Sequence, residues 1–205
     1  SPDGRVGGMP LIREISDHVD GAGVGGWMPL KHNKDHVPLH GGKDEVPPSL
    51  REAIASFVLV CATRVARGQG AAHCSMLVHV TRFNLVQREV HRQVAEVVRH
   101  MRQRITRKLD HENLLGDLKT LWDRDFTPTT ETVVSGLPEV ERPRHIPSWP
   151  EVLAALPDVL SDIDVRMING TAKDALDYDQ HSAKGLKVIA IGGDKLSRGL
   201  TLEGL

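Results

Sequence analysis

Residues 192–199 read Gly-Gly-Asp-Lys-Leu-Ser-Arg-Gly, directly after the apolar run Leu-Lys-Val-Ile-Ala-Ile. A glycine turn at the end of a strand lets backbone approach a phosphate closely, and Arg198 can pair with that phosphate or hold Asp194 in place. Phosphoryl transfer rests on positioning and charge stabilisation, so such a turn can form one half of a nucleotide cleft. The plainer alternative is a tight strand-to-helix turn carrying an ordinary surface arginine. Thr81-Arg82 and Asn169-Gly170 follow two other apolar runs in the same way. Polar groups at such exits suit contact with a nucleic-acid backbone.

Other chemistries have weaker patterns. Asp162, Asp164, Asp174, Asp177, Asp194 and Lys195 supply the residue types of a Mg²⁺-dependent nuclease. Asp162 and Asp164 precede or open their strand, however, and Asp177 falls in a helical stretch, so caps and surface charges explain them more simply. His32, His36 and His40 lie at four-residue steps with Asp35 beside them, but Pro38 prevents one helix from presenting them all and no cysteine accompanies them. A loop with scattered histidines is the simpler account, and no metal site is assigned. Cys74 with His73, His79 and His91 could be drawn as a nucleophile pair, yet strand packing accounts for Cys74 and His79. Gly41-Gly42-Lys43-Asp44 is too short for a phosphate-binding loop and follows no strand. No catalytic residue is assigned.

These side chains need a scaffold, and the composition allows one. The chain has 205 residues, with 40 % hydrophobic and 26 % charged. That is enough to bury one core and too apolar for wholesale disorder. Lys and Arg number 26 against 27 Asp and Glu, so any nucleic-acid surface must be a local patch. Aromatics at 3 % are too few for a set of base-stacking platforms. No apolar run reaches the roughly 18 residues of a membrane span, and the start Ser1-Pro2-Asp3-Gly4-Arg5 lacks signal-peptide order. Two cysteines in neither a CxxC pair nor a framework fit reduced thiols in a cytoplasmic protein. The missing initiator Met and the apolar end at Leu205 lead us to expect an excised piece of a larger protein.

Residues 1–48 hold nine of the 19 glycines and six of the 12 prolines. A loop is expected there, with a short strand over residues 11–15, serving as a linker or as a strap ordered against parts outside the chain. Ser49 and Glu52 form a capping-box pattern that opens a helix to about residue 67; this helix should pack on a sheet. Residues 75–80 read as a buried strand. Asn84 is placed to cap a long amphipathic helix with Val86, Val90, Val94, Val97, Met101, Ile105 and Leu109 inward. Its other faces carry Arg88, Arg92, Arg99, Arg102, Arg104, Arg107 and Lys108, a possible track for phosphates diluted by Glu89 and Glu96. A helix is expected over residues 111–126 and a Pro- and Thr-rich loop over 127–147. Ser148 and Glu151 open a further short helix that Pro157 should interrupt or end. Strands over 164–168 and 186–191, separated by helical turns over 171–178 and followed by a short helix over 195–198, complete an α/β pattern with a parallel sheet. Ligands bind such sheets at the strand C-terminal ends.

The three strand exits, taken together, resemble helicase motifs. Residues 75–83, Ser-Met-Leu-Val-His-Val-Thr-Arg-Phe, resemble the fourth motif. Residues 165–170 resemble the strand that follows it, and residues 192–205 resemble the fifth, with Asp194, Arg198, Gly199 and Leu200 at matching places. The order is that of the second RecA-like lobe of superfamily-two helicases. A closer resemblance, over roughly residues 47–205, is to the Z-one domain of bacterial helicase-like ATPases associated with restriction or defence systems and labelled a putative endonuclease. It is carried by residues 47–53, 75–90, 169–178 and 193–205.

The resemblance implies an α/β fold: a RecA-like lobe-two core over 48–100 and 162–205, a helical insertion over 101–161 and a Gly/Pro-rich extended segment over 1–47. It implies nucleotide contacts at Gly193, Asp194, Arg198, Gly199 and Thr201, and nucleic-acid contacts at Thr81, Arg82, Asn169, Gly170 and Gly192. Gly193 stands where the motif usually has a Thr, and Thr201 where it usually has an Asp. ATP and Mg²⁺ would bind only together with a first lobe, since the chain holds no GxxxxGK[ST] and no acidic box. The implied partners are DNA, that first RecA-like lobe and defence-system proteins. Taken alone, the chain is expected to be inactive. A metal-dependent DNA endonuclease and a structural interaction module are the alternatives.

Overall fold

The computed structural model describes residues 12–21, 23, 25–168, 183–193 and 203–204. The elements, in order, are α1 (Pro48–Ala66), β1 (Cys74–His79), α2 (Asn84–Arg107), α3 (His111–Leu121), α4 (Thr127–Gly136), α5 (Trp149–Asp162), β2 (Ile163–Ile168) and β3 (Lys187–Gly192). The strands form one parallel three-stranded sheet in the order β1-β3-β2. The chain is thus mixed α/β with parallel strands. All six residues of the central strand β3 are buried, as a near-continuous apolar run in a parallel sheet should be.

Side chains alternate across the sheet. Cys74, Val78, Ile163, Ile189 and Ile191 join the main core with the helices, whereas Ile168, Val188 and Ala190 form a second cluster with Leu186. In α2, the fully buried stripe is Val86, Val90, Val94, Val98 and Met101, one step over from Val97 at its middle. Leu109 lies outside the helix and is exposed. Asn84 is the first helical residue, and Phe83 occupies the cap position. α1 packs most extensively on α5 rather than on the sheet. Val152, Leu156, Val159 and Leu160 of α5 share the main core with Ile54 and Val58 of α1.

Several expectations are corrected. Ser49 and Glu52 do not cap each other. The Ser49 N–H and hydroxyl donate to Asp17 at 2.8 and 2.6 Å, and Glu52 accepts from Arg13 and Arg124 instead. The second capping box does form, with the Glu151 carboxylate accepting from the Ser148 N–H and hydroxyl. α5 passes through Pro157, which is exposed, while five apolar neighbours on the other face are buried. Burial of the four larger ones, Val152, Leu156, Val159 and Leu160, at about 1.5–3 kcal/mol each, outweighs the roughly 3 kcal/mol cost of an interior proline. Residues 122–126 are a π-helical turn, and the stretch expected to be loop begins with helix α4. Pro128 is the second residue of α4, directly after the π-helical turn. The helical turns expected over 171–178 and 195–198 lie outside the described residues.

Residues 12–16 form no strand, and Leu11 is outside the described set. The segment before α1 instead straps onto this same domain. Trp27, Met28 and Val46 are buried in the main core. The Trp27 indole donates to Gln93 at 2.7 Å, and the Gln93 amide donates to Pro38 O and Asp44. Arg13 and Arg124 each pair with both Glu52 and Asp125, closing a ring of four charges that joins strap, α1 and the π turn.

Candidate functional site

Parallel pairing brings the strand C-terminal ends level. Gly192 is opposite His79 on one side and Ile168 on the other. Beyond this line, the exits of β1 and β3 meet. A Cβ added at Gly193 would lie 2.5 Å from both Thr81 O and Gln87 Nε2, and 3.0 Å from Arg82 Cα. Only glycine fits that approach, so the closeness Gly193 permits is to the chain's own β1–α2 turn. Gln87 is buried, and its amide donates to Thr81 O at 2.8 Å. Its Oε1 is a buried acceptor with no partner among the described residues.

Thr81 is buried, with its hydroxyl already engaged. The His32 Nδ1–H donates to Pro29 O at 2.7 Å, which leaves Nε2 to accept from the Thr81 hydroxyl at 2.8 Å. That tautomer is assigned from the partners. Thr81 Oγ1 in turn accepts the Phe83 N–H at 3.2 Å. Thr81 therefore positions the turn. Arg82, next in sequence, is exposed at the rim, its guanidinium 5.1 Å over the Phe83 ring. His32 also meets Phe83 edge-on at 5.6 Å. His32 and Gln87 were not legible as site residues: both act through tertiary hydrogen bonds that carry no spacing signal. The His36 Nε2–H donates to the Trp27 carbonyl at 2.9 Å.

Gly192 is buried in the central strand. Asn169, Gly170, Asp194, Arg198, Gly199 and Thr201 lie outside the described residues. The basic face of α2 is largely self-paired. Arg92 meets Asp44, Glu89 and Glu96; Arg99 meets Glu96; Arg104 meets Asp110; Arg102 donates to the Leu160 and Ile163 carbonyls. The Arg92 and Gln93 hydrogen bonds hold the Asp44 carboxyl below its ordinary range. Asp164 pairs with Arg166 at 2.7 Å and Asp162 with Lys187 at 3.5 Å, both at the strand end opposite the rim. Asp174 and Asp177 are outside the described residues.

A groove of about 1270 Å³ runs beside β1 and reaches the rim at His32, His79 and Val80. Met28, Leu50, Phe57, Val60, Met76 and Phe126 wall it. Among the described residues, no helix is long and apolar enough to cross a membrane.

A protein-family model, that of the Z1 domain, matches residues 49–205. No curated protein and no solved structure matches the chain.

Proposed function

The chain belongs to the Z1 domain family, and from that premise we propose that it is the second, RecA-like lobe of a helicase-like ATPase acting on DNA in a cytoplasmic restriction or defence system. The observation that carries this reading is the level line of His79, Gly192 and Ile168, with Gly193 packed on the Thr81–Arg82 turn. Strand exits gathered on one edge are where parallel sheets bind ligands. In this account Arg82 meets the backbone of one DNA strand, while Thr81, His32 and Gln87 hold the turn that presents it.

ATP with Mg²⁺ would supply the driving hydrolysis when a first lobe brings its phosphate-binding loop. Asp194, Arg198, Gly199 and Thr201 are the residues we assign to that nucleotide. The Gln87–Gly193 junction does not suit a phosphate. Its orphaned atom is an acceptor, and a fully ionised phosphate offers no donor. The cation for phosphates at this rim is Arg82.

The test is binding of a labelled single-stranded oligonucleotide by the chain at low salt, followed by fluorescence anisotropy. Arg82→Ala should weaken binding about 5–10-fold, a loss of roughly 1–1.4 kcal/mol, with Arg88→Ala near wild type. Equal losses at both positions, or none at Arg82, would overturn the rim assignment. The same preparation should hydrolyse no ATP; a measurable rate would contradict a lone second lobe. Mg²⁺-dependent cutting of plasmid DNA would favour the endonuclease reading instead.

A further inference from the structure

β1 is an edge strand of the described sheet, with β3 on its other side. The Cys74 N–H donates to Leu186 O on the β3 side at 2.8 Å. Backbone groups alternate along a strand, so Met76 and Val78 also bond toward β3, while Ser75, Leu77 and His79 turn their N–H and C=O outward. Residues 203–204 already occupy the start of that outer edge. The Ser75 N–H donates to Gly204 O at 3.1 Å, and the Ser75 hydroxyl donates to Glu203 O at 2.7 Å. One step along, the Leu77 N–H has no hydrogen-bond partner among the described residues. An open edge of this kind is a template for another strand. The groove beside β1 lies along it, since Ser75, Leu77 and Gly204 all line that groove. Leu50, Phe57 and Val60 of α1 supply apolar wall to the same groove, and Val60 is 40 % exposed.

We propose that the outer edge of β1 receives a fourth strand, formed by polypeptide running on from Glu203-Gly204 and seated in this groove. The proposal rests on the reading of the chain as one lobe of a larger protein. The added strand is parallel to β1, because only that direction carries the chain from Gly204 along the edge toward Leu77. Ladder geometry sets its register. With the Ser75 N–H on Gly204 O, the Leu77 N–H takes the carbonyl two residues further on, and the level of His79 falls four residues further on. Met76 and Val78 face the main core, which they share with Phe57 of α1. Side chains of the added strand level with them point the same way, into the groove, and are apolar; the intervening ones face the opposite side of the sheet. The occupant is thus recognised by backbone hydrogen bonds along the edge and by an apolar residue at every second position.

The test compares this chain with one extended by about 15 residues of its parent polypeptide, enough for a strand and its exit. Amide exchange at Leu77 should slow about tenfold or more in the longer chain. The dye 8-anilinonaphthalene-1-sulfonate, which fluoresces on exposed apolar surface, should light up the shorter chain and lose most of that signal on the longer one. Val60→Asp puts a charge on the groove wall from an exposed position of α1; in the longer chain it should return Leu77 to fast exchange with helix content unchanged. Equal exchange at Leu77 in both lengths would overturn the proposal, as would protection that Val60→Asp leaves intact. So would a parent chain that ends at Leu205, or a concentration-dependent dimer of the shorter chain that protects Leu77 and persists in the longer one, which would give the edge to a second copy. Loss of the strand with Arg82-dependent oligonucleotide binding retained would sink this proposal and leave the lobe reading standing.

Discussion

Gly193 shows how one hydrogen atom in place of a side chain joins two strand exits. Its Cα side is filled by Thr81 O and Gln87 Nε2, both 2.5 Å from where a Cβ would be. Gly193→Ala must push the β1–α2 turn away or distort β3. We expect a loss of about 1–3 kcal/mol, the range of overpacking a closed site, read as a lower urea midpoint at unchanged m-value. An unchanged midpoint would mean that the exits are not packed together. Sequence alone marked Gly193 for the nucleotide and gave Thr81 and Arg82 one shared duty, contact with nucleic acid. The hydrogen bonds separate them: Thr81 is buried and committed to His32 and Phe83, and Arg82 is exposed. Nothing in the spacing of His32 betrays that its partner lies 49 residues away.

At the scale of elements, the strap before α1 is the feature least legible in sequence. Its glycines and prolines read as loop, and loop it is, but Trp27 and Val46 enter the core and three carboxylates tie it down. Asp17 is opposed by burial but lowered overall by the Ser49 hydrogen bonds, Asp44 is lowered by Arg92 and Gln93, and Asp125 by Arg124 and, against burial, Arg13. All three have folded pKa values below their unfolded ones near 4. Their contribution is complete above that value and is lost as pH falls through the lower folded values. Asp44→Asn should therefore be less stable than wild type at pH 6, by about 0.5–1 kcal/mol for so exposed a pair. It should converge on wild type near pH 2. A deficit that persists in acid would show that Asp44 acts by packing rather than charge. The elements that were legible are those with local signals: the Ser148–Glu151 box, the valine stripe of α2 and the apolar runs of all three strands. The ones that were not depended on tertiary partners. Asp17 takes the Ser49 cap, burial carries α5 past Pro157, and the π turn continues α3 into α4 where composition indicated loop.

At the scale of the whole molecule, a near-neutral chain concentrates its distinctive geometry at one edge of a small parallel sheet. Arg92, Arg99, Arg102 and Arg104 of α2 are engaged by neighbouring carboxylates and carbonyls, which on the proposed reading leaves phosphates to the rim. The RecA-like topology was expected from motif order, and the parallel β1-β3-β2 sheet is compatible with it at the level of strand direction and alignment. The central claim is one of place: DNA should meet this edge and not the helical face. Amide hydrogen exchange of the chain, with and without single-stranded DNA at low salt, measures that directly. The account predicts added protection over residues 79–84 and 192–193, with residues 96–108 of α2 and its following turn unchanged. Protection confined to 96–108, with the strand exits exchanging as before, would contradict it.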